Sequence, residues 1–207
     1  VALYLGSAGV GQITVVDDDT VDMTNLQRQV AHTVARVGSP KVASIKEAIA
    51  QVNPSVKVCG IQQRADARLL DVLVAQADVV VDCCDNFSTR HAINTACVAH
   101  AKPLVSGAAI RFDGQLSVYD SRDAASPCYA CVFPADATFE ETRCATMGVF
   151  APLVGMVGTM QAAEALKLIT GVGRPLTGRL LMIDGRAMEF TEMRTNRNTN
   201  CAVCAPH

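Results

Sequence analysis

A short run of β-branched residues, Ile13-Thr14-Val15-Val16, breaks off abruptly into Asp17-Asp18-Asp19. A continuous apolar run of this kind suits a parallel strand buried on both faces. In an open α/β sheet, ligands bind at the carboxyl end of such strands, so the carboxylates mark a candidate site. An acid at the tip of the second strand of a mononucleotide-binding unit accepts hydrogen bonds from ribose hydroxyls, and Asp17 is the first candidate for that role. A solvated acidic turn is the other reading of the same residues. A second buried run, Val79-Val80-Val81-Asp82, ends in Cys83-Cys84-Asp85-Asn86 and repeats the pattern. There Asp85 is the natural magnesium ligand, because hard cations take carboxylate oxygen.

The rest of the chain supports an α/β domain. Hydrophobic residues make up 50% and charged residues 18% of 207, enough for a sizeable core. The formal net charge of -2, with no basic stripe, excludes a nucleic-acid or membrane-surface partner and points to a small molecule or a protein. Nine cysteines without a secretory signal imply a reducing, cytoplasmic setting. From Gly148 to Ile169 the chain is apolar, but Gln161, Glu164 and Lys167 recur along one side. That spacing predicts an amphipathic core helix, not a bilayer span.

In order, Val1 to Ala8 reads as the end of a helix, and the glycines up to Gly11 close it and open the strand Gln12 to Asp17. A phosphate-binding glycine loop has the opposite polarity, following a strand and opening a helix. The first strand and its glycine loop are therefore expected upstream of Val1. Ser39-Pro40-Lys41 starts a helix with Ser39 as cap and Pro40 as first residue, and Asn53-Pro54 ends it. Lys41 then sits at the wrong end of a helix for a cation, a conflict that a bound anion would resolve; a merely exposed lysine is the alternative. A strand is expected from Val56 to Gln62 and a helix from Asp66 to Gln76. The helix from Asn86 to Ala101 has Phe87, Ile93 and Val98 on its buried face and Arg90 and His91 in solvent. Strands at Pro103 to Ile110 and Gly114 to Tyr119 flank a turn at Phe112-Asp113-Gly114, and a last hairpin joins Leu180–Asp184 to Met188–Thr191.

Three clusters carry chemistry. Asn25 and Arg28 lie one helical turn apart, so on a short helix both face the same side and can converge on phosphate. Cys128-Tyr129-Ala130-Cys131 and Cys201-Ala202-Val203-Cys204 are two C-x-x-C pairs about seventy residues apart. With no histidine at matching spacing they read as a closed, structural four-thiolate zinc site; a redox dithiol would need only one pair, at a helix start. Cys144 lies in the polar stretch Pro134 to Met147, read as a crossover where a thiol can reach an incoming protein tail.

The patterns D-x-D-x-V-x-x-x-N-L-x-R-Q from Asp17 and D-V-V-x-D-C-x-D-N from Asp78 resemble the MoeB/ThiF/HesA family, relatives of the ubiquitin-activating enzymes. The resemblance covers essentially the whole chain. It implies a Rossmann-like, mostly parallel sheet with an antiparallel extension and a structural zinc, in one domain over 1–207, truncated at its amino end. It also implies a homodimer with ATP, Mg2+ and Zn2+. The activity it implies is adenylation of the carboxy-terminal glycine of a ubiquitin-like sulfur carrier, MoaD-like or ThiS-like, for molybdopterin or thiamine synthesis. Nucleotide binding would fall to Asp17, Asp19, Asn25, Arg28, Lys41, Asp85 and Asn86. Arg28, Lys41 and Asp85 would act in the adenylation itself. Cys144 matches a sulfur-transfer cysteine of ThiF-like members that MoeB-like members do not need for adenylation. Two other functions stay open: an NAD-dependent Rossmann oxidoreductase, and a non-catalytic zinc-stapled module that docks the carrier.

Overall fold

The computed structural model describes residues 1–135 and 148–205. The chain divides into two compact units, Val1–Ala65 and Asp66–His207.

In the first unit, α1 (Ala2–Ser7) leads to β1 (Gln12–Val16), and α2 (Lys41–Val52) leads to β2 (Lys57–Ile61). The two strands pair in parallel, with Ile13 opposite Val58. Helix α1 packs on α2 at Gly6, where a Cβ would sit 2.7 Å from the Ile49 side chain. Ile49 is fully buried, a contribution of about 2 kcal/mol that the missing side chain at position 6 makes possible. The start of α2 differs from the sequence expectation. Pro40, not Ser39, is the cap residue, and no side chain caps the helix. Ser39 is drawn instead into backbone pairing, its carbonyl accepting the Val21 N–H at 2.8 Å.

The second unit opens with α3 (Ala67–Gln76), capped by Asp66, whose carboxylate accepts the Leu69 N–H at 2.8 Å. There follow β3 (Val80–Asp82), α4 (Phe87–Ala99), β4 (Pro103–Ile110) and β5 (Asp113–Asp120). A single helical turn, α5 (Tyr129–Val132), the long α6 (Ala151–Thr170), β6 (Arg179–Asp184) and β7 (Glu189–Arg194) complete it. The sheet order is β3-β4-β5-β6-β7; only the first pair is parallel. The expected mixture of parallel and antiparallel pairing is present, but in two sheets: β1–β2 is a parallel pair of its own, and in the five-stranded sheet the parallel pair β3–β4 is extended by antiparallel strands.

Helix α6 lies on β4 and β5, with Leu153 and Val157 packed on Ile183. Its polar residues are not the solvent side that their spacing suggested: Gln161 is 3% and Glu164 6% exposed. Each is buried because it has a specific partner, Gln161 the Asp82 carbonyl at 2.6 Å and Glu164 the Leu176 N–H at 2.8 Å. The β4–β5 hairpin turns at Arg111-Phe112, one residue earlier than expected, with Ile110 opposite Asp113 and Arg111 at φ +50°. No helix among the described residues is long and apolar enough to cross a membrane.

Candidate functional site

The first cluster grows from the end of β1. Asp17 continues the parallel ladder through its N–H to the Ile61 carbonyl at 3.2 Å, and its carboxylate accepts the Asp19 N–H at 2.9 Å. The segment then folds back on the start of α2, through a Thr20–Pro40 bridge and an Asp19 carbonyl that accepts the Lys41 N–H at 3.0 Å. This clasp delivers the Lys41 ammonium to Asp19 Oδ2 at 2.6 Å and Asp17 Oδ2 at 4.0 Å. The Lys41 side chain is only 7% exposed, so it is neither a solvated lysine nor a cation in conflict with its helix. Two carboxylates already supply the negative charge that the helix end favours. Burial pushes the Asp17 carboxyl above the ordinary carboxylate range, and the Asp19 N–H and Lys41 pull the other way. Oxygens of Asp17, Asp18 and Asp19 converge within 4.8 Å, a spacing that could also gather a cation.

Asn25 and Arg28 sit on a shorter turn than the expected helix. A 3-10 turn spans Met23–Asn25, capped by Asp22 through the Thr24 N–H at 2.8 Å. Both side chains bond locally, Asn25 Nδ2 to Thr24 Oγ1 at 3.4 Å and Arg28 Nη1 to the Thr24 carbonyl at 3.5 Å. Neither is hydrogen-bonded to the Lys41 carboxylates. Beside them the buried Gln29 amide oxygen has no partner among the described residues.

In the second unit, Asp85 is an exposed carboxylate in the link between β3 and α4. Asn86 caps α4, its oxygen accepting the Thr89 N–H at 2.9 Å. The residue that sequence reasoning misplaced here is Arg90. It is 6% exposed rather than solvated, and it pairs with the fully buried Asp82 at 3.1 Å. The signal available was its spacing, four residues after Asn86 and directly over the end of β3.

The four thiols come together as their spacing predicted. Sulfur separations are 3.8 Å for Cys128–Cys131, 3.7 Å for Cys128–Cys201 and 3.5 Å for Cys131–Cys204. A disulfide needs about 2.05 Å, whereas the edges of a tetrahedron around zinc with bonds of about 2.3 Å measure about 3.8 Å. The set could therefore hold a zinc ion, with its sulfurs already near tetrahedral spacing. Two further donors reach it, Asn94 Nδ2 to Cys128 at 3.6 Å and the Asn198 N–H to Cys131 at 3.4 Å. Cys144 lies outside the described residues.

The sequence profile described as "ThiF family" matches residues 1–203. The chain belongs to the ThiF family. This ThiF-family chain is 43% identical over 203 residues to the molybdopterin-synthase adenylyltransferase of Escherichia coli, covering 97% of the chain and 80% of that protein. It is 41% identical over 203 residues to the sulfur carrier protein ThiS adenylyltransferase of the same organism, covering 98% and 80%. Against the adenylyltransferase and sulfurtransferase MOCS3 of Drosophila grimshawi, identity is 42% over 207 residues, covering 99% of the chain and 46% of that protein. By this kinship it is of the MoeB/ThiF adenylyltransferase type. Escherichia coli MccB, solved with ATP, shares the fold at a TM-score of 0.84 and 24% identity; the match covers 99% of the chain and 62% of MccB.

Proposed function

We propose that this protein adenylates the carboxy-terminal glycine of a ubiquitin-like sulfur carrier at the expense of ATP. The observation that carries the reading is the buried Lys41 ammonium clasped to Asp19 and Asp17 at the tip of β1, in a chain whose relatives are named adenylyltransferases. In the reaction a carboxylate oxygen attacks the α-phosphorus, the α–β anhydride bond breaks, and pyrophosphate leaves. A carboxylate is already ionised at neutral pH, so no general base is required. The protein must align the reactants and stabilise the charge that moves onto phosphate oxygen.

Asp17, raised by burial and backed by the Asp19 N–H, is the proposed ribose acceptor. Lys41 is the proposed phosphate cation; its present partner Asp19 is the more exposed carboxylate and the one a phosphate would replace. Asn25 and Arg28, held only by local bonds, are free to turn toward the triphosphate. Asp85 would hold Mg2+, which when bound neutralises phosphate charge, and Asn86 would sit beside it. The all-sulfur set suits Zn2+ in a closed structural site, since it leaves no coordination position for substrate. A MoaD-like and a ThiS-like carrier fit the two Escherichia coli relatives equally, and a cytoplasmic homodimer is part of the proposal. The kinship favours adenylation over the nicotinamide alternative.

The carrier would dock on the sheet edge. Val118 is fully buried within β5 between β4 and β6, so among the described residues the free edge on this side is β7. ATP–pyrophosphate exchange with each purified carrier tests the reading. Carrier-dependent exchange with one of them is expected, and exchange with neither would overturn it.

A further inference from the structure

We infer that Arg90 is a positioning residue for Asp85, an inference that rests on the proposed role of Asp85 in holding Mg2+. The link from Asp82 to Asn86 is hydrogen-bonded at Asp82, Cys84 and Asn86, the residues on either side of Asp85 included. Asp82 Oδ1 accepts the Cys84 N–H at 2.9 Å and the Cys84 thiol at 2.7 Å. Asp82 Oδ2 accepts from Arg90 Nη1 at 3.1 Å and from Ser106 Oγ at 2.9 Å. The other face of Cys84 is held as well, because Arg90 Nη2 donates to the Cys84 carbonyl. The same nitrogen reaches the Gly107 carbonyl at 3.0 Å, and Nη1 reaches Ser106 Oγ at 3.2 Å. One guanidinium thus ties the link to β3 and β4 together.

On the far side of Asp85, Asn86 is fixed as the cap of α4, and its carbonyl accepts the Arg90 N–H at 3.3 Å. Asp85 is therefore the exposed residue between two immobilised neighbours. The clamp is completed from α6, where Gln161 Nε2 donates to the Asp82 carbonyl at 2.6 Å. Gly107 is needed for that approach, since a Cβ there would lie 2.5 Å from Gln161 Cδ.

Stability alone does not account for this arrangement. A buried ion pair rarely outperforms well-packed apolar side chains, because desolvation consumes most of the attraction. What a buried guanidinium adds is direction: planar donors fixed toward acceptors on separate elements. A lysine at position 90 would keep the charge opposite Asp82 but could not span Asp82, Ser106, Cys84 and Gly107 together.

The test compares Arg90→Lys, Asp85→Asn and the double variant. Affinity for a non-hydrolysable ATP analogue is measured by calorimetry with Mg2+ and with chelator, alongside the Mg2+ dependence of pyrophosphate exchange. In Arg90→Lys the gain in affinity that Mg2+ confers should shrink about tenfold, while affinity in chelator stays near that of the unmodified protein. If Arg90 acts through Asp85, the double variant should be no worse than Asp85→Asn, whereas independent effects would add. A loss in Asp85→Asn with additive or absent effects of Arg90→Lys would overturn the positioning role alone. An Asp85→Asn variant with an unchanged Mg2+ response would overturn the magnesium assignment, and the positioning role with it. Should Arg90→Lys fail to fold, Ser106→Ala removes one arm of the clamp, and the same cycle should show a smaller, non-additive loss.

Discussion

The side-chain amide of Asn94 joins the thiolate cluster to α4, its Nδ2 donating to Cys128 Sγ at 3.6 Å while its Oδ1 accepts the Tyr129 N–H at 2.8 Å. Asn94 is 1% exposed, so water does not compete for either bond. A donor on a thiolate spreads its charge, and the acceptor fixes the backbone between Cys128 and Cys131. Asn94→Leu should therefore weaken metal retention by about ten- to a hundredfold, the range for outer-shell partners. The rate of zinc transfer to a colorimetric chelator measures it, and an unchanged rate would remove Asn94 from that role.

Cys201→Ser should leave less than one zinc per chain by elemental analysis and loosen the carboxy-terminal tail. That tail is otherwise tied by few bonds, among them Arg197 to the Ala124 and Cys204 carbonyls. A structural zinc contributes on the order of 10 kcal/mol to folding. Limited proteolysis should accordingly cut the variant after Arg194 at protease concentrations that leave the zinc-loaded protein intact. No stoichiometric metal in the reduced, unmodified protein would sink the zinc assignment itself.

Much of this was legible in the chain because local chemistry decided it. Strand β4 begins at Pro103 and ends at Ile110 as its apolar run dictates, and Asn86 and Asp66 are helix caps as their residue types suggest. Each C-x-x-C pair is recognisable because the thiol spacing within it is a local property of its turn, and four thiols of matching spacing foretell their long-range meeting. What escaped depended on partners distant in sequence. Arg90 and Gln161 look like surface residues by type, yet each is buried because Asp82, on a third element, receives them both. Likewise Ser39 lost its capping role to Val21, eighteen residues earlier, through a backbone bond that no local pattern announces.

Lys41→Ala and Arg28→Ala should each reduce pyrophosphate exchange by on the order of a hundredfold or more, as expected of groups that stabilise charge on transferring phosphate. Cys144→Ala should leave exchange intact; if exchange is abolished, adenylation and sulfur transfer are not separable steps. Lys41→Ala also leaves Asp17 and Asp19 facing each other without a cation. Its cost to stability should be larger at neutral pH than at pH about 4, because burial already raises the Asp17 carboxyl and its protonation relieves the repulsion. Urea unfolding at the two pH values checks the sign.

His32 supplies a second pH dependence. Its Nδ1 lies 2.8 Å from Ser44 Oγ in a buried pocket, and burial, with the charges of Lys41 and Arg36, lowers its pKa against the opposing pull of Asp17. A histidine whose folded pKa is depressed binds fewer protons in the native than in the unfolded state. Stability should therefore fall as pH drops through about 6.5, the unfolded value, and level off below the folded one. His32→Gln keeps a hydrogen-bonding partner for Ser44 and should flatten that slope. An equal slope in both proteins would assign the acid sensitivity to other groups.

The last expectation concerns β7. All six of its residues are exposed, it pairs with β6 along one side, and no described strand pairs with the other. Phe190 and Met193 are each 50% exposed, and Met188, just before the strand, is 56% exposed. Edge strands are ordinarily blunted by charge, and Glu189, Glu192 and Arg194 supply only part of that protection. An extended tail or an edge strand of a carrier could add to such an edge through main-chain bonds, with the apolar side chains giving selectivity. Phe190→Lys should then raise the carrier concentration for half-maximal exchange about tenfold, the effect of losing one apolar anchor. The ATP requirement should not move, because β7 carries none of the proposed nucleotide residues. A rise in the ATP requirement alone, or no change in either, would show that the carrier docks elsewhere.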